Sequence, residues 1–226
     1  MADLMKNKIN MKEQEEIFSL IGRALKEKVE CFVVGGTAMM FLGLKEVTKD
    51  IDIVFQARKD YKTFKSSLIN LGAKETEAEI INPEKVSCIL SLGNARFDLF
   101  LEHLIHFRLT GTIISRIREV HEFGNLIVKV VSPEDIILFK SMADREADKI
   151  DAAELAKKIN INWEIILDEA EEQTKDSEFF FSVFLYNFLI GIREDLKTEI
   201  PQEFLKRLKK ISENALLEAE KRLKKR

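Results

Sequence analysis

The sequence contains few of the residues that bind zinc or form disulfides. Its 226 residues include two cysteines and three histidines. Cys31 and Cys88 both lie in apolar surroundings, which favours buried thiols over a disulfide. Of the histidines, only His103 and His106 share helical spacing, and no thiol accompanies them or His121. The sequence therefore predicts no zinc site at these residues.

The sequence also lacks an excess of positive charge and a long apolar segment. The formal net charge is −3, so the chain as a whole does not present a basic surface for nucleic acid. The most apolar late segment, residues 179–190, is too short for a bilayer and is interrupted by Ser182 and Asn187. Residues 1–16 are polar and contain no apolar signal core. We expect a folded cytoplasmic protein with no membrane segment.

The most informative stretch is residues 31–55. An apolar, strand-like run ends at Gly35 and Gly36, and Thr37 then begins a short segment compatible with a helix. Backbone amides at such a helix start can bind phosphate, because they are unpaired and carry partial positive charge. An ordinary strand-to-helix turn would use the same residues.

Two aspartates follow on a predicted strand. Asp50 and Asp52 alternate with Ile51 and Ile53, so the two carboxylates project to one face of the strand. Carboxylates at this spacing repel each other unless a cation lies between them. Divalent cations such as Mg²⁺ prefer oxygen ligands of this kind. The alternative is a solvated strand end.

A third acid lies on a later predicted strand, residues 94–101. Arg96 and Asp98 share one face of this strand, and its apolar residues occupy the other. An acid among apolar residues requires water, a metal ion or a charged partner, and both Arg96 and Lys129 are candidates for that partner.

The glycine pair, its spacer and the Asp-apolar-Asp-apolar segment resemble the signature of the DNA polymerase β-like nucleotidyltransferase superfamily. The resemblance implies an α/β (α+β) fold, with an N-terminal mixed-sheet palm domain flanked by helices. It implies an acidic triad, completed by Asp98, that binds Mg²⁺ or Mn²⁺ and is catalytic. It also implies that Gly35, Gly36 and Thr37 bind the phosphates of an NTP.

The second half of the chain is predicted to be helical. Ser132 and Pro133, followed by two acids, are typical of a helix N-terminus. We place the domain boundary here, with a palm domain at residues 1–131 and a C-terminal helical bundle at residues 132–226. Within the bundle, the apolar spacing predicts helices over residues 163–172, 177–192 and 202–226.

The predicted helix from Pro133 has an unusual polar pattern. Lys140 lies within its apolar stripe, and the acids Asp144, Asp148 and Asp151 continue at helical spacing. A lysine in such a stripe can extend its ammonium group to solvent or pair with an acid. Acids in a lysine-rich helix usually lie on its solvated face.

This segment resembles the later motifs of the AbiEii-type toxin nucleotidyltransferases, in which a helical Lys precedes Arg-x-Lys-Asp-x-x-Asp. Arg145, Asp148 and Asp151 match that pattern, whereas Ala147 stands where the family has Lys. The resemblance implies that Lys140 is catalytic and contacts the nucleotide phosphates, and that Asp148 is a nucleotide-binding residue.

The combined resemblance implies Mg²⁺-dependent transfer of an NMP from an NTP to a hydroxyl acceptor, with release of pyrophosphate. For an AbiEii-like toxin the acceptor is a tRNA 3′ end, and the partner is an antitoxin or a second copy of the chain. Residues 201–226 contain nine Lys or Arg against four Glu, which favours RNA, although such tails more often aid solubility. The alternatives are an aminoglycoside or protein hydroxyl as acceptor, and a nucleotide-binding partner without turnover.

Overall fold

A computed structural model of the chain describes residues 8–76, 87–104, 106–143, 145–175 and 180–224. Several sequence-based predictions concern positions outside the described residues. These are Asp144, the first residues of the helix predicted to begin at 177, and the last two residues of the helix predicted over 202–226.

The described residues form short strands as far along the chain as Val130 and helices throughout. The strands are β1 (Ile9–Asn10), β2 (Val29–Val33), β3 (Val47–Thr48), β4 (Asp50–Phe55), β5 (Lys74–Thr76), β6 (Ser87–Leu92), β7 (Ala95–Leu101), β8 (His103–Leu104), β9 (Phe107–Arg108), β10 (Glu119–Phe123) and β11 (Leu126–Val130). The helices are α1 (Met11–Ala24), α2 (Gly35–Phe41), α3 (Arg58–Asn70), α4 (Gly111–Arg116), α5 (Pro133–Ser141), α6 (Glu146–Lys158), α7 (Trp163–Lys175), α8 (Phe181–Asp195) and α9 (Gln202–Leu223).

Seven of these strands form one mixed sheet in the order β10-β11-β2-β4-β7-β6-β5. β11 is parallel to β2 and β4 is parallel to β7, while the other neighbours are antiparallel. The parallel pair β4 and β7 lies near the middle of the sheet. This arrangement places the two strands that carry the predicted acids side by side.

Helices α1 and α3 cover one face of this sheet. The buried ring of Phe64 on α3 contacts Phe55 on β4 and Phe97 on β7, and Phe18 on α1 contacts Phe123 on β10. Successive side chains of a strand point to opposite faces. Because Phe55 and Phe97 have the opposite parity to the aspartates of their strands, those aspartates project from the face that α1 and α3 do not cover.

The chain forms two compact units. One comprises residues 1–105 and 109–132, and the other comprises residues 106–108 and 133–226. Helices α5 to α9 build the second unit, whose core includes the buried side chains of Phe107, Phe139 and Phe181. A mixed sheet with helices, followed by a helical C-terminal part, confirms the predicted fold class. Among the described residues, none of the helices combines the length and the apolar character needed to cross a lipid bilayer.

The helix predicted from Pro133 does not continue, as the sequence pattern indicated that it would, through the acids that follow Lys140 at helical spacing. α5 ends at Ser141, and α6 begins at Glu146. The amides of Met142 and Ala143 bond carbonyls three residues back, at 3.3 and 3.2 Å, so the last turn of α5 tightens and stops. As a result Lys140 and the acids that follow it lie on two helices rather than one.

Candidate functional site

The chain leaves β2 through a turn that only glycine fits well. Val34 N–H donates to Asp52 O at 3.2 Å, and the next residue, Gly35, has φ of +58°. A methyl group on Gly35 would lie 2.7 Å from Asp52 Oδ2. Both the backbone angle and the close approach require glycine at this position. The backbone at Gly35 is therefore directly beside the Asp52 carboxylate.

Thr37, on the first turn of α2, ties this turn to β4. Its hydroxyl donates to Asp50 O at 3.2 Å and accepts from Asp52 N–H at 3.2 Å. The side chain is completely buried, so both bonds are shielded from water. On the other side, the Thr48 hydroxyl also donates to Asp50 O, at 3.1 Å. These bonds fix the backbone that carries both acids relative to the glycine turn.

The three predicted acids lie on one face of two paired strands. Asp50 and Asp52 are two residues apart on β4, and Asp98 on β7 is the register partner of Asp52. Neighbouring strands are separated by about 4.8 Å, so the carboxylates of register partners are close to each other. The structure thus brings together Gly35, Asp52 and Asp98 from three separate parts of the sequence.

Arg96 contributes the positive charge of this cluster. It is the register partner of Asp50, and its Nε and Nη2 donate to the two oxygens of Asp98 at 2.8 and 3.0 Å. Nε also lies 3.5 Å from Asp50 Oδ1. Partial burial disfavours the charge of Arg96, but its hydrogen bonds to Asp98 and the nearby Asp50 and Asp52 outweigh that effect and raise the pKa of Arg96. The guanidinium is therefore fully charged and lies among the carboxylates.

A family model for a nucleotidyltransferase of unknown function (DUF6036) matches residues 11–188 of the 226 residues. The chain belongs to this nucleotidyltransferase family. The match includes both the glycine turn and the strands β4 and β7. It confirms that the Gly-Gly and Asp-x-Asp pattern belongs to a nucleotidyltransferase, and it does not identify the chain as an AbiEii-type toxin.

No curated protein matches this nucleotidyltransferase in sequence. Among solved structures, the crystal structure of an antigenic nucleotidyltransferase-like protein from Paracoccidioides brasiliensis is similar, with 16% sequence identity and a TM-score of 0.49. That similarity covers 88% of this chain and 95% of the fungal chain.

The acidic cluster of this nucleotidyltransferase contains the type of ligand atom that divalent cations bind. Carboxylate oxygens are the ligands that Mg²⁺ and Mn²⁺ prefer, and the cluster already surrounds a cationic group, the Arg96 guanidinium. Across the described ranges, however, no three Asp, Glu, His or Cys side chains are grouped closely enough to hold a metal ion as they stand. The carboxylates are arranged around Arg96 rather than around a single point.

Lys140 and Asp148 lie in the second unit, where they join a buried ionic network. Lys140 Nζ, on α5, bonds to Asp148 Oδ1 at 3.0 Å and to Asp151 Oδ2 at 2.7 Å, both on α6. Arg145 Nε bonds to the other oxygen of Asp148 at 2.8 Å. The network connects α5 to α6 across the break between them. This geometry supports a structural role for Lys140, while its predicted contact with nucleotide phosphates stays a prediction.

Sequence reasoning missed one basic residue near the glycine turn. A methyl group on Gly36 would lie 2.5 Å from Thr48 Oγ1 and 3.8 Å from the Lys45 ammonium. Lys45 therefore places positive charge beside the turn. Its only sequence signal is that it begins the polar segment between α2 and β4.

Proposed function

We propose that this protein transfers an NMP from an NTP to a hydroxyl acceptor and releases pyrophosphate. The observation that carries the proposal is the placement of Asp52 between the Gly35 turn and its register partner Asp98. Phosphoryl transfer requires groups that position the polyphosphate and groups that neutralise charge at the reacting oxygens. The turn supplies the first kind of group, and the acidic cluster supplies the second by binding cations.

The residues of the turn hold the polyphosphate in this proposal. The backbone N–H groups of the turn at Gly35 and Gly36 would donate to phosphate oxygens, as turns of this kind do in other anion sites. Thr37 holds the start of α2 against β4, and Lys45 adds positive charge next to Gly36. Together they would hold the β- and γ-phosphates while the α-phosphorus faces the carboxylates.

Asp50, Asp52 and Asp98 would hold Mg²⁺ or Mn²⁺. When bound, the metal neutralises phosphate charge and lowers the pKa of the acceptor hydroxyl. The acceptor oxygen forms a bond to the α-phosphorus, the bond from that phosphorus to the β-phosphate oxygen breaks, and pyrophosphate leaves. A carboxylate oxygen of the cluster accepts the hydroxyl proton.

The proposed acceptor is RNA, with a tRNA 3′ end as the specific form. Exposed basic residues on α9, including Lys206, Lys209 and Lys210, support this choice because phosphate contacts account for much of RNA affinity. The AbiEii-like motif around Arg145 and Asp148 supports the same acceptor and a role as a toxin with an antitoxin partner. An aminoglycoside or a protein hydroxyl is the alternative acceptor.

The test is a transfer assay with the full chain, Mg²⁺ and each labelled NTP. Total tRNA, aminoglycosides and a protein lysate are offered in separate reactions, and label is expected in the tRNA. Asp52→Asn removes a proposed ligand and should abolish transfer while the circular dichroism spectrum is unchanged. Glu46→Gln, at an exposed acid in the segment between α2 and β4, is the control and should keep full activity.

Transfer that persists in Asp52→Asn would refute the assignment of the site. Label in the aminoglycoside or lysate reaction, with none in tRNA, would refute the RNA acceptor but leave nucleotidyl transfer in place.

Nucleotide binding without turnover is the second candidate function. It is favoured by the bidentate pairing of Asp98 with Arg96, which occupies the third carboxylate. In that case the full chain would bind NTP in a calorimeter and release no pyrophosphate with any acceptor.

A further inference from the structure

The Arg96 guanidinium lies among the carboxylates that would hold a cation in the proposed function. Arg96 precedes Asp98 by two residues on β7, so both side chains project from the same face. Its two nitrogens engage both oxygens of Asp98, and its Nε also approaches Asp50 Oδ1 at 3.5 Å. This two-point geometry is the strongest pairing that an arginine makes with a carboxylate.

A bound divalent cation and this pairing exclude each other for two reasons. The oxygens of Asp98 that would bind a metal are already hydrogen-bond acceptors for Arg96. In addition, a metal held by Asp50 and Asp98 would lie a few ångströms from a guanidinium that contacts both, and like charges at that distance repel strongly. The carboxylate cluster can therefore be neutralised by Arg96 or by the metal, but not by both in this arrangement.

The side chain of Arg96 is exposed enough to rotate away, and the carboxylate of Asp98 can stay in place when it does. The Arg96 side chain is 45% exposed, whereas that of Asp98 is 17% exposed. Rotation about the long, flexible arginine side chain would carry the guanidinium into solvent, where its charge is well hydrated. The carboxylate would then keep its position on β7, next to Asp52.

We propose that Arg96 is a built-in counter-ion that must leave Asp98 before that carboxylate can bind a divalent cation, so that Arg96 sets the metal affinity of the site. The inference rests on the proposed nucleotidyl-transfer function, because it assumes that the cluster binds a metal. Arg96 acts through Asp98 and is a positioning residue. When the metal-competent arrangement is only a fraction of the population, the apparent affinity for the metal falls by that fraction.

The test is the affinity of the full chain for Mn²⁺, measured without nucleotide by isothermal titration calorimetry or by electron paramagnetic resonance. Arg96→Gln removes the competing charge and should bind Mn²⁺ about fivefold more tightly than the wild type, as expected for loss of a half-exposed ion pair. Lys129→Gln is the matched control. It removes one positive charge from the same sheet, where Lys129 pairs with Glu30, and should leave the affinity unchanged.

A second measurement uses the wild-type chain and so does not depend on whether Arg96→Gln folds. The Nε–H resonance of Arg96, identified by its absence in Arg96→Lys, should report a hydrogen-bonded proton in metal-free protein. Titration with Mg²⁺ should shift this resonance and speed its exchange with water, with the same midpoint as metal binding. A purely structural Arg96 would keep its resonance unchanged while the metal binds.

The outcomes separate this inference from the proposed function. Equal Mn²⁺ affinity in the wild type and Arg96→Gln, with an unchanged Arg96 resonance, overturns the inference and leaves metal-dependent transfer intact. If neither protein binds Mn²⁺ or Mg²⁺ at millimolar concentration, the metal-dependent function fails and the inference is overturned with it. Weaker binding in Arg96→Gln also overturns the inference, because it would mean that Arg96 supports the site.

Discussion

The geometry of the site depends on a single residue at the end of β2. Gly35 adopts a left-handed backbone conformation, and its missing side chain leaves space for the Asp52 carboxylate. Gly43 also has positive φ, at +68°, but a methyl group there would meet no atom within 4 Å. Both glycines adopt a left-handed backbone conformation, but only at Gly35 would a side chain also clash with a neighbouring atom.

Substitution at the two glycines separates these requirements. Gly35→Ala and Gly43→Ala should each lower the free energy of unfolding by about 1–2 kcal/mol, the cost of a left-handed alanine. Only Gly35→Ala should also abolish nucleotidyl transfer, because its methyl group displaces the Asp52 carboxylate. Urea unfolding followed by circular dichroism gives the first quantity, and the transfer assay gives the second. Equal activity of the two variants would contradict the steric role of Gly35.

At the level of secondary-structure elements, ion pairs of very different burial connect neighbouring segments. Lys140, 5% exposed, connects α5 to α6 through the carboxylates of Asp148 and Asp151, which are 9% and 17% exposed. Lys65 on α3 pairs with Glu75 on β5 at 2.7 Å, and half of the Glu75 side chain is exposed. Buried pairs leave a costly unpaired charge when one partner is removed, whereas exposed pairs contribute little.

The buried network predicts a large loss of stability for Lys140→Met. Removal of the ammonium leaves Asp148 and Asp151 with reduced compensation and should lower the free energy of unfolding by about 3 kcal/mol. The chain's single tryptophan, Trp163 on α7, lies in the same unit and reports its unfolding by fluorescence in urea. Lys157→Met, at an exposed position of α6, is the control and should change stability by less than about 0.5 kcal/mol.

A stable but inactive variant would instead indicate that Lys140 takes part in nucleotidyl transfer. If Lys140→Met is as stable as the control but inactive in transfer, the structural role is refuted and the predicted contact with nucleotide phosphates is supported.

The exposed pair predicts a small, pH-dependent contribution. The hydrogen bonds from Lys65 and Cys88 hold the pKa of Glu75 below its usual value of 4.5. A lowered pKa in the folded state means that the stabilisation is complete above pH 4.5 and is lost as the pH falls through the folded-state value. Glu75→Gln should therefore cost about 0.5 kcal/mol at pH 7, a small value because solvent screens the pair.

Urea unfolding of the wild type and Glu75→Gln from pH 7 to acid measures this dependence. The difference between the two proteins should shrink as the solution is acidified. A difference that is constant over this range would mean that the charge of Glu75 is not what stabilises the pair.

At the scale of the whole molecule, the second unit is not a continuous piece of chain. It includes residues 106–108, which precede the last strands of the sheet in sequence. Phe107 is completely buried and contacts Phe139 and Phe181, at centroid distances of 4.7 and 4.8 Å. The side chain of Gln173 bonds the backbone N–H and carbonyl of Arg108. A short early segment is thus part of the helical core.

Phe107→Ala should therefore destabilise the second unit. Loss of a fully buried phenylalanine costs about 3–5 kcal/mol, and Trp163 fluorescence in urea should show the corresponding fall in midpoint. Phe184→Ala on α8 is the matched control, because that ring is 43% exposed and its loss should cost much less. If the two substitutions lowered the urea midpoint equally, Phe107 would not be part of this core.

Much of the fold was predictable because local sequence patterns determine several of its strands and helices. Alternation of acid and aliphatic residues predicted β4 and the face of Asp50 and Asp52, and the helix predicted to begin at Pro133 does begin there. The two-residue strands, such as β3, and the six-residue helix α4 were not predicted, because segments of that length show no periodicity. The end of α5 was also missed, since the helical spacing of the acids continues past Ser141 while the backbone turns.

The sequence by itself determined which residues are glycine, which are acidic and which face of its own strand each acid occupies, because side-chain parity along a strand is a local property. Only the tertiary structure decided which strands are neighbours and in what register. The parallel pairing of β4 with β7 sets Asp98 beside Asp52 and Arg96 beside Asp50, although more than forty residues separate them in sequence. Strand pairing at that separation is decided by packing of the whole sheet, and no local pattern encodes it.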